Sequence, residues 1–169
     1  HKRGWDDQWE HFSNYAEIGE GLATQLLNKV DEDTASFNKI MDAFGLPKGN
    51  PDEKAARSKA IQDATRYAIE VPLSVMEAAV KVLDLCEAMA NEGNPNSVSD
   101  AGVGALAARS AVLGAGMNVR INASSYTADE AWKAETLSYC ATLEQQAIVK
   151  EAAILLSLIH ISEPTRLRR

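Results

Sequence analysis

The chain has 169 residues, 46% of them hydrophobic and 24% charged, the balance of an ordinary globular domain, which excludes a disordered or collagen-like chain. Its 17 basic and 24 acidic residues leave a formal charge of −7, so no general basic field is available to hold a phosphate backbone and nucleic acid is excluded as a partner class. The longest uncharged stretch of the Ala/Gly-rich segment, 110–119, is about half of the roughly 20 apolar residues a bilayer demands, so no membrane partner is expected.

The first predicted element runs over 5–44, where Trp5, Trp9, Phe12, Ile18, Leu22, Leu26, Val30, Phe37, Met41 and Phe44 recur at three- and four-residue spacings. That period predicts one long helix with a single buried stripe. Gly45, Leu46 and Pro47 stop it. Asn50 as N-cap, Pro51 at the first helical position and Glu53 three residues after the cap start a second helix over 51–91. Pro72 interrupts this segment; it removes a backbone donor and disfavours the helical region for Val71, so a kink or break is expected near Glu70.

Turn formers fill 92–98, and Ser99 with Asp100 reads as the cap and first turn of a third helix over 100–121. That helix carries Gly102, Gly104, Gly114 and Gly116, each costing about 1 kcal/mol relative to Ala. The cost requires an offset, and with Ala101, Ala105, Ala108, Ala111 and Ala115 the glycines make a smooth face for another helix or a flat ligand. A last helix is expected from Thr127 as cap, with Glu130 reaching back, through Trp132, Leu137, Cys140, Leu143, Ile148 and Ile154. With no strand-like alternation, the fold class is all-α, a bundle of long antiparallel helices.

Three blocks carry a resemblance. VDEDTASFNKIMDAFGLPK at 30–48, NPNSVSDAGVGALAAR at 94–109 and GAGMNVRIN at 114–122 resemble, in order and spacing, the motifs of the cyclodeaminase/cyclohydrolase family of folate enzymes, over 1–155. The resemblance implies an all-helical, dimer-forming fold with a folate derivative, polyglutamylated or not, bound among helices near the interface. It implies tetrahydrofolate as carrier of the one-carbon unit, no metal, and either a free-standing chain or one fused to a formiminotransferase domain. Cyclodeaminase members close 5-formimidoyltetrahydrofolate to 5,10-methenyltetrahydrofolate with loss of ammonia, in histidine breakdown; cyclohydrolase members interconvert methenyl- and 10-formyltetrahydrofolate. The unbroken motifs resemble the cyclodeaminase branch more.

Two departures bear on domain organisation. The family begins with a Pro/Gly-rich loop and a small-residue helix ahead of the point where this chain starts, at His1 and not at Met. The expectation is a fragment lacking its N-terminal helix, and an alternative of another class is an inactive folate-binding or scaffold segment. LSLIHISEPTR at 156–166 resembles the in-frame translation of a transposase adapter used in preparing sequencing libraries, so a domain over 1–155 and a non-native tail over 156–169 are expected. The alternative is a genuine apolar segment with a basic tail.

Cyclodeamination needs a near-attack geometry, a donor for the leaving nitrogen and an acceptor for the attacking amine's proton. Among Asp31, Glu32 and Asp33, Asp33 shares a helix face with Val30, Phe37 and Met41 and is expected to point into the apolar side with a raised pKa, as the catalytic carboxyl; Glu32 points away into solvent. The alternative is a solvated acidic patch. Asn94, Asn96, Ser97 and the second catalytic candidate Asp100 form a polar loop before a helix N-terminus, suited to a pterin edge or a carboxylate, or to simple capping. Asn118 and Asn122 are candidates for orienting pterin amides, or are interhelical amides; Arg109 and Arg120 are candidates for folate carboxylates, or form ion pairs. Trp5, Trp9 and Phe12 are read as core or dimer packing in preference to a stacking platform, and Lys2, Arg3 and Lys48 as weaker candidates for a polyglutamate tail. Cys86 and Cys140 lie without a CxxC, and only His1, His11 and His160 could join them, so neither a zinc site nor a disulfide framework is indicated and a cytoplasmic setting fits.

Overall fold

In a computed structural model, the backbone is described for residues 6–162 and the side chains for residues 7–158. Lys2, Arg3, Trp5 and the end of the tail lie outside them. Among the described residues four α-helices follow one another: α1 (Trp9–Gly45), α2 (Pro51–Glu92), α3 (Val98–Ala123) and α4 (Glu130–Ser162), with a turn of 3-10 helix at Asp6–Gln8 and another at Pro95–Ser97.

The boundaries follow local chemistry. Leu46 leaves α1 in an extended conformation, its N–H bonded to the Ala43 carbonyl. Asn50 Oδ1 accepts from Glu53 N at 2.9 Å, and the Glu53 carboxylate accepts from Gly49 N, one residue before the expected partner. At the third helix the expected cap is displaced: Asn94 Oδ1 accepts from Asn96 N and organises the Pro95–Ser97 turn, and α3 begins at Val98 with no side-chain cap. At the fourth, Asp129 is the cap in place of Thr127, its Oδ1 accepting from Trp132 N at 2.9 Å.

Helix α2 is the central element. It lies antiparallel to α1, as the pairs His11–Glu92, Glu32–Tyr67 and Phe44–Arg57 show. It lies antiparallel to α3, where Gly104 faces Cys86 and Asn122 faces Ala68, and α4 closes the triangle beside α2 and α3. The continuous core comes from these three helices: Ile69, Met76, Leu83, Val112, Val119, Cys140 and Ile154 are all but inaccessible to solvent. Burying an aliphatic chain of this size contributes about 1.5–3 kcal/mol.

The glycines of α3 are explained by approach. A Cβ on Gly102 would stand 2.6 Å from Leu158, one on Gly104 3.0 Å from the Cys86 sulfur, and one on Gly116 2.3 Å from the Glu144 carboxylate. Gly114 meets nothing within 4 Å. Helix α4 continues through 156 without a break, and Leu158 packs against the core.

Two expectations are corrected. Helix α2 runs unbroken past Pro72. The carbonyl that Pro72 leaves without its usual donor is that of Ala68, four residues earlier, and Asn122 Nδ2 donates to it from α3 at 2.7 Å. The second correction concerns α1. Its apolar stripe is buried only in part: Leu22 is buried and Leu26 half-buried, but Val30, Phe37, Met41 and Phe44 are all more than half exposed. The face toward α2 is instead Leu22, Leu26, Lys29, Glu32, Ser36, Ile40 and Ala43, also at three- and four-residue spacing but mixing apolar, polar and small side chains.

Candidate functional site

The turn between α2 and α3 opens on a groove of about 430 Å³. Val82, Leu85, Cys86 and Met89 from α2 and Ala101 from α3 form its apolar wall, and Asn94, Ser97 and Asp100 its polar rim. The wall exists because 82, 85 or 86 and 89 lie one turn apart on α2. The rim exists because the Asn94 cap turns the chain tightly enough to bring Ser97 and Asp100 back over that wall. The Cys86 thiol is held above its ordinary pKa by burial, so it lines the groove as a neutral group. Apolar walls with a few convergent polar groups are the usual form of a small-molecule site.

Of the residues singled out in sequence, Asn94, Ser97 and Asp100 are brought together here. Asn96 belongs to the same turn but does not line the groove. Cys86 and Met89 were missed as wall residues, although their one-turn spacing facing a glycine-rich helix was the available signal.

The other candidates lie elsewhere. Arg109 faces Glu151 of α4 at 3.7 Å, and its buried Nε finds no hydrogen-bond partner. Arg120 reaches Glu144 at 2.5 Å and the Cys140 sulfur at 3.3 Å, which ties α3 to α4. The Glu144 carboxylate holds the Arg120 guanidinium above its ordinary pKa, while burial, then the same carboxylate, raises the Cys140 thiol. Asn122 spends a donor on Ala68, and Asn118 is exposed.

Asp33 departs furthest from expectation. It does flank Val30, Phe37 and Met41, but that face is open, so the apolar surroundings expected around its carboxyl are absent from this chain. The inward acid of the triplet is Glu32, expected in solvent. It accepts from Lys29 Nζ at 2.5 Å and from the Tyr67 hydroxyl at 2.9 Å. The Lys29 hydrogen bond first, then that of Tyr67, holds the Glu32 carboxyl below its ordinary pKa, and the same bond to Glu32 raises the Tyr67 phenol. Roughly 35 Å of α2 separates this level from the turn that carries Asp100.

No group of three or more His, Cys, Asp or Glu among the described residues is placed to hold a metal ion, and no described helix is long and apolar enough to cross a membrane.

A sequence model described as formiminotransferase-cyclodeaminase matches residues 1–142. The chain is 38% identical over 139 residues to a methenyltetrahydrofolate cyclohydrolase of Methylorubrum extorquens, covering 82% of this chain and 64% of that protein. It is 35% identical to the formimidoyltransferase-cyclodeaminase of Mus musculus, covering 80% of this chain and 25% of that one. The chain therefore spans less than two thirds of these relatives. Its fold is similar to a crystal structure of formiminotetrahydrofolate cyclodeaminase from Thermotoga maritima, with a TM-score of 0.81, 23% identity, and coverage of 96% of this chain and 76% of that one.

Proposed function

This chain belongs to the formiminotransferase-cyclodeaminase family, and we propose that it closes 5-formimidoyltetrahydrofolate to 5,10-methenyltetrahydrofolate with release of ammonia. The observation that carries the reading is the convergence of Asn94, Ser97 and Asp100, all from one family motif, on one apolar groove. In the reaction, N10 attacks the formimidoyl carbon, a new N10–C bond forms, and the bond to the former imine nitrogen breaks. That nitrogen must gain two protons to leave as ammonia, one of them from N10. A carboxyl that accepts the N10 proton and passes it to the departing nitrogen supplies one, solvent supplies the other, and Asp100 on the rim of the groove is the residue assigned to this relay. Asn94 and Ser97 supply hydrogen bonds to the pterin edge.

Asp33 cannot reach a substrate in the same chain's groove. It joins the chemistry only from a second copy, in the homodimer that family resemblance suggests, and its place on the unpartnered face of α1 supports that role. Arg109, Arg120 and Asn122 then act on the glutamate tail or the pterin only where their present partners release them, whereas Asn118 is exposed and needs no such release. This reading sets the chain in histidine breakdown and one-carbon metabolism in the cytoplasm, and fusion to a formiminotransferase domain accords with the mouse relative.

A second reading has its own support. The similarity to the Methylorubrum protein favours a cyclohydrolase, in which water replaces the amine as the attacking group. One assay separates them. Ammonia released from 5-formimidoyltetrahydrofolate supports the first, and loss of methenyl absorbance in water with no ammonia supports the second. In the active chain Asp100→Asn is expected to lower turnover by about a hundredfold or more. Mixing Asp33→Asn with Asp100→Asn chains is expected to restore part of it, and full activity in either variant alone removes that residue from the mechanism.

A further inference from the structure

Glu92 and His11 both stand where their own helices give them nothing. Glu92 is the last residue of α2, where the free carbonyls disfavour an acid, and no basic residue in that last turn offsets it. His11 lies in the first turn of α1, beside a helix start with no side-chain cap, where a base gains no local support either. Residues that break a local rule are expected where they serve a contact made elsewhere in the fold. Here the contact is with each other: His11 Nε2 lies 2.6 Å from Glu92 Oε2, across 81 positions of sequence. A carboxylate only accepts, so the imidazole N–H is the donor of this bond. The imidazole also packs T-shaped against the Tyr15 ring one helical turn further on, with 4.9 Å between ring centres, which holds it facing α2.

The pair adjoins the groove at the α2–α3 turn without lining it. Gly93 and Asn94, which follow Glu92 directly, do line it. Asn94 then builds the rim, its carbonyl accepting from Ser97 N at 2.9 Å and its Oδ1 from Asn96 N at 3.1 Å. Further along α1, Gly19 backs the apolar wall: a Cβ there would stand 3.7 Å from Leu85. The start of α1 thus braces the wall, and the His11–Glu92 bond fastens it to the base of the rim. Both side chains are about half exposed, so the bond is worth a factor of about five or less in an equilibrium. Its loss leaves the bundle folded, and the consequence appears at the helix end it restrains, since terminal turns open far more readily than a core.

We propose that His11 is a positioning residue for the site: through Glu92 it fixes the end of α2 and so the placement of the turn that carries Asn94 and Ser97 and leads into Asp100. Its consequence for turnover rests on the use of the groove proposed above, whereas the restraint itself does not.

Two measurements on the full chain test it. Without substrate, amide hydrogen exchange read by NMR at Gly93, Asn96 and Ser97, each bonded in the structure, should quicken about fivefold in His11→Ala and in Glu92→Ala, and no further in the double variant. His11→Gln, whose side-chain Nε2 can make the same bond, should keep the slower rate. In ammonia release, His11→Ala should raise KM about fivefold and lower kcat with it, because the rim residues shift together, while His11→Gln stays near the unsubstituted chain. A mere loss of folded chain would lower apparent kcat and leave KM as it was. Unchanged exchange at the turn in both Ala variants, additive effects in the double variant, a His11→Gln chain as loose as His11→Ala, or an unchanged KM in a chain whose turn has loosened overturns the proposal. If the unsubstituted chain releases no ammonia, the folate reading fails, and the exchange rates alone decide whether His11 restrains the turn.

Discussion

Pro72 lies in the interior of a 42-residue helix, where proline ordinarily costs about 3 kcal/mol. Part of that cost is an acceptor left without its donor, and Asn122 supplies a donor to the affected carbonyl of Ala68. Replacing Asn122 by Ala leaves that carbonyl unpaired in a half-buried seam, and the expected loss is about 1–3 kcal/mol of stability. The assignment is separable from any role in substrate binding. With Pro72→Ala in place, residue 72 has an N–H to offer Ala68, so Asn122→Ala should cost markedly less there. Urea titration of the four chains in this cycle gives the coupling, and an equal cost in both backgrounds would show that the amide does not compensate for the proline.

At the scale of elements, the turns at Gly45 and Asn50 were legible because their residues act locally: a helix stop and an N-cap need only their neighbours in sequence. The orientation of α1 was not. Two interleaved sets of positions on that helix both have helical period, an apolar one through Val30, Phe37 and Met41 and a mixed one through Leu26, Lys29, Glu32, Ser36 and Ile40. Reading the apolar set as the inner one exchanged the places of Asp33 and Glu32. Period alone cannot tell which face meets α2, because a seam can also be held by ion pairs and hydrogen bonds, here Lys29, Glu32 and Tyr67. Likewise the rim of the α2–α3 groove was legible as a polar motif, whereas its wall depended on which part of α2 the turn folded over. Helix α3 lies between these cases: the need for an offset to its glycines was visible, but not its source. The structure makes a contrast testable in one helix. Gly114→Ala adds a methyl group in open space and should stabilise the chain by about 0.5–1 kcal/mol, while Gly116→Ala forces the Glu144 carboxylate off its Arg120 partner and should destabilise it by about 1–3 kcal/mol. Melting curves of the two variants check this, and the same sign at both positions would refute the packing account.

For the whole molecule, the most consequential feature is what α1 leaves uncovered. Leu27, Val30, Phe37, Met41 and Phe44 are between 51% and 71% exposed, and contiguous apolar surface of this kind marks an interaction face. The mixed seam already commits the opposite side of α1 to α2, so the stripe is free to meet a partner. A second copy is the simplest occupant, because a two-fold axis pairs the stripe with itself and each residue is then buried twice. Such pairing would also put Asp33, at the edge of the stripe, beside the partner chain. Burial of side chains this size contributes about 1.5–3 kcal/mol apiece against an association cost of about 4–15 kcal/mol, so one charge at the centre should be decisive. Phe37→Asp is expected to raise the dissociation constant of the dimer about a hundredfold or more while leaving helicity intact, since Phe37 makes no contribution to the α2–α3–α4 core. Sedimentation velocity at matched concentrations reads this directly. If the site is shared between copies, ammonia release should fall with the dimer fraction; a Phe37→Asp monomer that keeps full turnover would confine the chemistry to one chain and leave Asp33 outside it.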